Sequence, residues 1–283
     1  YAQQRLWFLD QLEGPSPVYN MAVALRITGG LNVDALGEAL ADVVGRHESL
    51  RTVFRSVDGV PEQVVVPAGE ADFGWQLIDA VGWPTTDVAA AVQGIAGYTF
   101  DLSSEIPLQA RLFRVGEDEF VLAGVVHHIA ADGWSVAPLV ADLQLAYAAR
   151  SDGREPAWPP LPVQYVDYTL WQRAHLGDLA NSDSRIAGQV AYWEQALAGL
   201  PERLELPTDR PYPVEADHRG ATVAVDWPAE LQEQVSRVAR AYGATGFMVV
   251  QAALAMLLSK LSASSDVAVG VPIAGRGDAA LDQ

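Results

Sequence analysis

The segment that most restricts the fold is an apolar run that ends in two histidines, residues 120–128. Side chains alternate between the two faces of a β-strand. One face of this run would carry Leu122 and Val126, and the other would carry Val121 and Val125. A strand that is apolar on both faces is typical of one that is buried on both sides. Any fold of this chain must therefore cover both faces of a sheet.

The neighbouring patterns predict a mixed α/β (α+β) order with antiparallel hairpins. Residues 107–115 and 120–127 form the clearest hairpin, because an acidic turn at residues 116–119 joins them. A helical stripe includes Leu36 and Val43, with Asp34 as its predicted cap. Further strands are predicted at residues 52–55, 63–66, 75–78, 221–227 and 266–271, and further helices at residues 84–98, 132–150, 163–175, 184–198, 229–242 and 246–261.

The chain of 283 residues is long enough for one large domain or two smaller ones. Half of its residues are hydrophobic, which supplies a core and excludes a disordered chain. A proline-rich, extended break covers residues 154–162, and helical patterns resume after it. We place the boundary near residue 175, with one domain at residues 1–175 and another at residues 176–283.

Charge and cysteine content exclude several classes of function. There are 36 acidic and 18 basic residues, for a net charge of −18, which argues against a nucleic-acid or membrane-surface partner. The absence of cysteine from the sequence excludes disulfides, thiolate zinc sites and cysteine nucleophiles. The longest apolar stretch, residues 247–258, is too short to span a bilayer. These features fit a cytoplasmic protein.

Residues 127–135 read His-His-Ile-Ala-Ala-Asp-Gly-Trp-Ser and lie where a strand ends and a helix begins. Because side chains alternate, His127 and His128 must point to opposite faces, so only one of them can enter a given cavity. The other could be an ordinary core residue. Asp132 could cap the following helix, and Gly133 could form a tight turn. Adjacent histidines on opposite faces do not easily share an ion, so we expect no metal site.

The whole nine-residue string resembles the His-His-x-x-x-Asp-Gly-x-Ser signature of condensation domains from nonribosomal peptide synthetases. Five other stretches are similar to signatures of the same family, in the expected order along the chain. They are residues 2–9 (Ala-Gln-Gln-Arg-Leu-Trp-Phe-Leu), 46–54 (Arg-His-Glu-Ser-Leu-Arg-Thr-Val-Phe), 165–172 (Tyr-Val-Asp-Tyr-Thr-Leu-Trp-Gln), 206–211 (Leu-Pro-Thr-Asp-Arg-Pro) and 270–276 (Gly-Val-Pro-Ile-Ala-Gly-Arg).

The resemblance implies a chloramphenicol acetyltransferase-like fold of two lobes in a V, with the active site at their interface. The first lobe would be complete and the second partial, since later family signatures are absent from residues 1–283, and an apolar face near residues 267–271 would be uncovered. Such a domain joins an upstream acyl thioester to the amino group of a downstream aminoacyl thioester. It binds no cofactor directly. Its partners would be two phosphopantetheine-bearing carrier domains and an adjacent adenylation domain.

The resemblance also implies roles for individual residues. His128 would be the catalytic histidine, while His127 would face away and pack. Asp132 would shape the site through an ion pair with Arg276, and Gly133 would leave room for a substrate thioester. An α-amino group with a pKa of about 7.7–8.0 is already partly neutral at pH 7. His128 could therefore act as a base, a positioning group or a stabiliser of the tetrahedral intermediate.

Three other functions share or mimic the motif. Epimerization domains have the same fold and a similar core, although residues 46–54 look more like condensation domains. A stand-alone acyltransferase could use a coenzyme A thioester instead of a carrier-bound one. A non-catalytic recruitment module would only dock partner enzymes. Within the condensation family, residues 13–16 with Tyr19 and Asn20, together with Ile129 and Ala130, resemble the members whose donor ends in a D-residue.

We predict that Asp132 and Arg276 form a partly buried ion pair. Removal of either partner would leave the other charge unpaired and cost roughly 3–5 kcal/mol. If Asp132 were only a helix cap, Asp132→Ala would cost about 0.5–2 kcal/mol, and Arg276→Ala almost nothing. A double-mutant cycle in the complete domain measures the coupling between them. Additive effects, within about 0.5 kcal/mol, would leave Asp132 as a cap.

Overall fold

The computed structural model describes residues 1–214 and 220–273, which divide into two compact units, Tyr1–Gly177 and Asp178–Ile273. Helices and strands of the first unit are, in chain order, α1 (Ala2–Glu13), β1 (Asn20–Thr28), α2 (Val33–Arg46), β2 (Thr52–Val57), β3 (Val60–Val65), β4 (Gln76–Asp79), α3 (Thr85–Ala96), β5 (Leu108–Arg114), β6 (Glu119–His127), α4 (Val136–Ser151) and α5 (Tyr165–Leu176). The second unit has α6 (Arg185–Ala196), α7 (Ala229–Ala241) and α8 (Gly246–Ser262). The mixed α/β class is confirmed.

A four-stranded sheet with the order β1-β6-β5-β4 organises the first unit. Strand β6 runs antiparallel to both of its neighbours, and β4 runs parallel to β5. The hairpin predicted from the acidic turn is the β5–β6 pair. A separate antiparallel pair joins β2 to β3.

Strand β6 is covered on both faces, as its apolar pattern predicts. On one face Phe120 and Leu122 pack in a cluster with Leu36 of α2. On the other face Val125 packs in a cluster with Ile95 of α3. Helix α4 joins the first cluster through its partly buried residues Leu143 and Tyr147. The sheet is therefore enclosed by helices, and the end of β6 is fixed from both sides.

Ion pairs join α2 to α4 over the sheet. Arg150 donates from Nε and from a terminal nitrogen to the two carboxylate oxygens of Asp42, both at 2.7 Å. A two-point guanidinium–carboxylate contact fixes orientation as well as distance. About one turn further along α2, Arg46 donates from Nε to Asp142 of α4 at 2.9 Å. The two helices are thus fastened at two points.

Two sequence-based boundaries were wrong. Helix α2 is capped by Asn32, whose side chain accepts from the Ala35 amide at 3.0 Å, and Asp34 lies inside the first turn. Only a residue just before the first helical one has its side chain placed to reach those amides. Helix α4 begins at Val136 and not at residue 132, because residues 132–135 form a turn of their own.

The second unit contains α6, α7 and α8, and only residues 242–245 separate α7 from α8. The strands predicted at residues 221–227 and 266–271 are not formed within residues 220–273, because neither segment pairs with a neighbouring strand there. A local sequence pattern can favour an extended backbone, but a β-strand also needs a neighbouring strand to accept and donate its backbone hydrogen bonds. No side chain of residues 267–271 is buried, and Val271 is 42% exposed. Residues 267–271 are therefore half-buried or exposed, without forming the face of a sheet.

Across the described residues, no single helix has the length and hydropathy needed to cross a membrane. Helices α7 and α8 have the required length and hydropathy only when they are taken together, and a bend of 102° separates them.

The core position of Leu112 on β5 gives a stability prediction. Leu112 is 0% exposed, whereas Leu77, its register partner on β4, is 47% exposed. Leu112→Ala should therefore lower the free energy of unfolding by about 2–5 kcal/mol. Leu77→Ala is the matched control and should cost only about 1 kcal/mol, because half of its side chain is already in water. Urea unfolding measures both, and equal losses would contradict the packing described here.

Candidate functional site

His127 is the last residue of β6 and is buried, with 3% of its surface exposed. Its Nδ1 accepts a hydrogen bond from the Ile129 amide at 3.1 Å. Its ring meets Phe100 edge-on at 6.1 Å between centroids. Burial, and to a lesser degree the nearby His128, lowers the pKa of His127 to about 4. His127 is therefore a neutral, packed histidine that accepts one bond in the turn after the strand.

His128 points the other way, as strand alternation predicts. It is exposed, and its amide donates to the Tyr19 carbonyl at 2.8 Å, which extends the β1–β6 pairing by one residue. Its side chain lines a cavity of about 550 Å³. Within residues 1–214 and 220–273 its ring makes no hydrogen bond with another group. His128 is thus the histidine of the motif that is available to a bound molecule.

The cavity lies within the first unit and is lined by several elements. Helix α1 contributes Arg5, the turn after β6 contributes Asp132, and α5 contributes Tyr165, Tyr168 and Gln172. Its walls combine apolar carbon with a few polar groups, as small-molecule sites commonly do.

Asp132 organises the turn that precedes α4. Its Oδ1 accepts from the Ser135 amide at 2.9 Å and from the Ser135 hydroxyl at 2.7 Å, while that hydroxyl accepts from the Asp132 amide at 3.1 Å. Asp132 therefore acts on the turn before the helix and not as the cap residue. Gly133 lies in this turn, and an added Cβ would meet nothing within 4 Å. Gly133 itself is not part of the cavity wall.

Arg276, the predicted partner of Asp132, lies outside the described residues, so their ion pair remains a prediction. Among the described residues no cluster of three or more His, Cys, Asp or Glu side chains is arranged to hold a metal ion.

A chain of amides supports the turn of the motif from behind. Gln3 of α1 is buried and donates from Nε2 to the Ile129 carbonyl at 2.8 Å. Gln63 of β3 donates to the Gln3 carbonyl oxygen at 2.6 Å. Ile129 is thereby held through its amide by His127 and through its carbonyl by Gln3. The pattern of residues 2–9 marks the helix, but no local signal shows which glutamine turns inward.

A second histidine lines the same cavity. His47 follows α2, and its Nε2 lies 2.7 Å from the Asp142 carboxylate, which also accepts from Arg46. In the same segment, Arg51 and Glu48 approach each other at 3.5 Å. Asp142 was missed, because its partners are distant in sequence and join only when α2 and α4 pack.

A family model of the condensation domain matches residues 1–283. The chain belongs to the condensation domain family. The predicted resemblance is thus confirmed, with the chloramphenicol acetyltransferase-like fold that it implies.

The relatives of this condensation domain include peptide synthases. It is 66% identical over 282 residues to the isonitrile lipopeptide synthase of Mycobacterium tuberculosis, covering 100% of this chain and 11% of that protein. It is 47% identical over 282 residues to the dimodular nonribosomal peptide synthase of Bacillus subtilis, covering 99% of this chain and 12% of that protein. The condensation domain thus spans about a tenth of the length of these two relatives.

Solved structures show the same fold. The X-domain from teicoplanin biosynthesis is 36% identical, with a TM-score of 0.83 over 94% of this chain and 57% of that one. The first condensation domain of the CDA synthetase is 25% identical, with a TM-score of 0.74 over 99% of this chain and 66% of that one.

The buried His127 makes stability depend on pH. Its folded pKa of about 4 is below the value of about 6.5 expected in the unfolded chain, so the unfolded chain binds more protons between these pH values. Stability from the neutral ring is fully present above about pH 6.5 and is lost as the pH falls towards 4. His127→Asn keeps an acceptor near the Nδ1 position but does not titrate. Urea unfolding at several pH values should show a steeper acid loss in the wild type than in this variant. Parallel losses would contradict the assignment.

Proposed function

We propose that this condensation domain forms an amide bond between an acyl thioester and the amino group of an aminoacyl thioester. The observation that carries the proposal is His128, an exposed histidine at the wall of a cavity of about 550 Å³, in a chain that matches the condensation domain over its whole length. The amine attacks the thioester carbonyl, the C–S bond breaks, the released thiol takes a proton, and one proton is lost from nitrogen.

The substrates are delivered on phosphopantetheine arms of an upstream and a downstream carrier domain, and an adenylation domain is the expected neighbour. The relatives support this part of the proposal, because they are named as nonribosomal peptide synthetases and this domain makes up a small part of each. A four-domain nonribosomal peptide synthetase, 23% identical, shares the fold with a TM-score of 0.84. No cofactor of the domain's own takes part in the proposed reaction.

Within the site we assign the contact with the reacting groups to His128 and supporting positions to the residues around it. His127 and Asp132 shape the strand end and the following turn by the bonds described above. Gly133 keeps the turn free of a side chain, and Arg276 would balance the charge of Asp132. His128 can hold the amine, accept its proton or stabilise the tetrahedral intermediate, and positioning alone can contribute as much as proton transfer.

A second function, recruitment of another enzyme without catalysis, is favoured by one comparison. The X-domain of teicoplanin biosynthesis, 35% identical with a TM-score of 0.83, has been solved as a complex with OxyB. A recruiting module would bind a partner but would make no amide product from loaded carriers. An assay of amide formation from loaded carriers therefore separates the two functions.

His128→Ala should lower the rate of amide formation by about 10²–10⁴-fold, the range typical of a lost acid–base or positioning group. The assay supplies one carrier with an acyl thioester and the other with an aminoacyl thioester, and follows the amide product by mass spectrometry. His175→Ala is the matched control, because His175 is an exposed histidine of α5 outside the cavity wall. Full activity in His128→Ala would refute the catalytic assignment. Absence of product in the wild type would favour recruitment, and product from coenzyme A thioesters alone would favour a stand-alone acyltransferase.

A further inference from the structure

The cavity contains two histidines, and it is the second one that a carboxylate orients. His47 contacts Asp142 through Nε2 at 2.7 Å, and its side chain is 13% exposed. The His128 ring has no hydrogen-bonded partner in the described part of the chain. A histidine whose tautomer is fixed by a carboxylate presents one defined nitrogen to whatever lies in front of it.

The contact with Asp142 decides which nitrogen of His47 can accept. A carboxylate only accepts hydrogen bonds, and this one already receives the Arg46 guanidinium at 2.9 Å. Nε2 of His47 must therefore carry the ring hydrogen, which leaves a lone pair on Nδ1. Nδ1 of His47 makes no hydrogen bond with any of the described residues. It is also not among the buried side-chain atoms that lack a hydrogen-bond partner. His47 is one of the residues that line the cavity, so Nδ1 is the ring nitrogen that remains to accept a hydrogen bond from a molecule bound there.

We infer that His47 binds the amino group of the aminoacyl substrate in this cavity, accepting a hydrogen bond at Nδ1 from the nucleophilic nitrogen. The inference rests on the proposed function, and it names which substrate His47 contacts. His47 is then a residue that touches the substrate, and Asp142 is a positioning residue that acts through it.

A neutral acceptor suits a nucleophilic amine better than a carboxylate would. A nearby negative charge stabilises the ammonium form and so withdraws the lone pair that must attack. Burial lowers the pKa of His47 below its usual value, although the hydrogen bond that His47 donates to Asp142 opposes this shift. Around the ring, the charged groups are Asp142 of α4 and Arg46 of α2, which pair with each other. His47 thus offers a lone pair without a net charge at neutral pH.

The structural alternative is that His47 only fastens the end of α2 to α4. Two substitutions separate these roles, because glutamine and asparagine each imitate a different ring nitrogen. His47→Gln places an amide N–H where Nε2 lies, so it keeps the bond to Asp142 and loses the acceptor. His47→Asn places an oxygen where Nδ1 lies, so it keeps the acceptor and loses the bond to Asp142.

The experiment measures binding without catalysis. The probes are glycyl-pantetheine and acetyl-pantetheine analogues in which NH replaces the thioester sulfur, so that they differ only in the amino group. Calorimetric titration of the full-length protein at about pH 8.5, above the α-amino pKa of about 7.7–8.0, gives the ratio of their dissociation constants. In the wild type the glycyl analogue should bind about 2- to 12-fold more tightly, the effect of one hydrogen bond.

His47→Gln should bring this ratio close to 1, while His47→Asn should retain it. Should His47→Gln fail to fold by urea unfolding, Asp142→Asn provides the same test, because an amide no longer fixes the tautomer and the ratio should fall. A ratio retained in His47→Gln or in folded Asp142→Asn, or no preference or no binding in the wild type, overturns the inference. Amide formation from loaded carriers reports separately on the proposed function, so the two failures are distinguishable.

Discussion

The structure of the site depends on the way in which strand β6 ends. Burial and the hydrogen bond from the Ile129 amide hold the His127 ring in the core. The position of this ring fixes the direction of the next side chain. Alternation then forces His128 to the opposite face, where the cavity lies. A one-residue slip of register would exchange the two rings. The nine-residue pairing of β1 with β6 resists such a slip, because both faces of β6 are packed.

The cavity wall depends on a second constraint, the fastening of α2 to α4. The two contacts are unlike each other. Asp42 and Arg150 form a two-point pair whose only evident effect is to orient the helices. Asp142 instead collects Arg46 and His47 at one oxygen, and His47 faces the cavity. Buried charge pairs add little net stability on average. Their value here is geometric, because they set where the cavity wall stands relative to the end of β6.

Much of the first unit could be predicted from sequence, because its information is local. The β5–β6 hairpin, the burial of β6 on both faces and the opposite directions of His127 and His128 all follow from period-two alternation. The details that failed are tertiary. Asn32 and Asp34 are both plausible caps, and only the backbone at the helix start chooses between them. Gln3 and Asp142 act across more than ninety residues of chain, so no window of sequence contains both partners. The extended segments at residues 221–227 and 266–271 have strand-like patterns, but a pattern cannot supply the neighbour that makes a strand.

The buried amide of Gln3 has a consequence for the exchange of one condensation domain for another. Recombination joints are usually chosen in loops where few contacts cross, and the start of a helix that precedes the strands meets that rule by its position in the sequence. Here the third residue of the chain bonds to the backbone of the turn that presents His128, and it is bonded in turn by Gln63 of β3. A hybrid whose joint falls within α1 would therefore graft a foreign side chain into the support of the turn that follows β6. A joint that keeps this support intact must leave α1 (Ala2–Glu13) together with β3 and the turn after β6, which Gln3 connects.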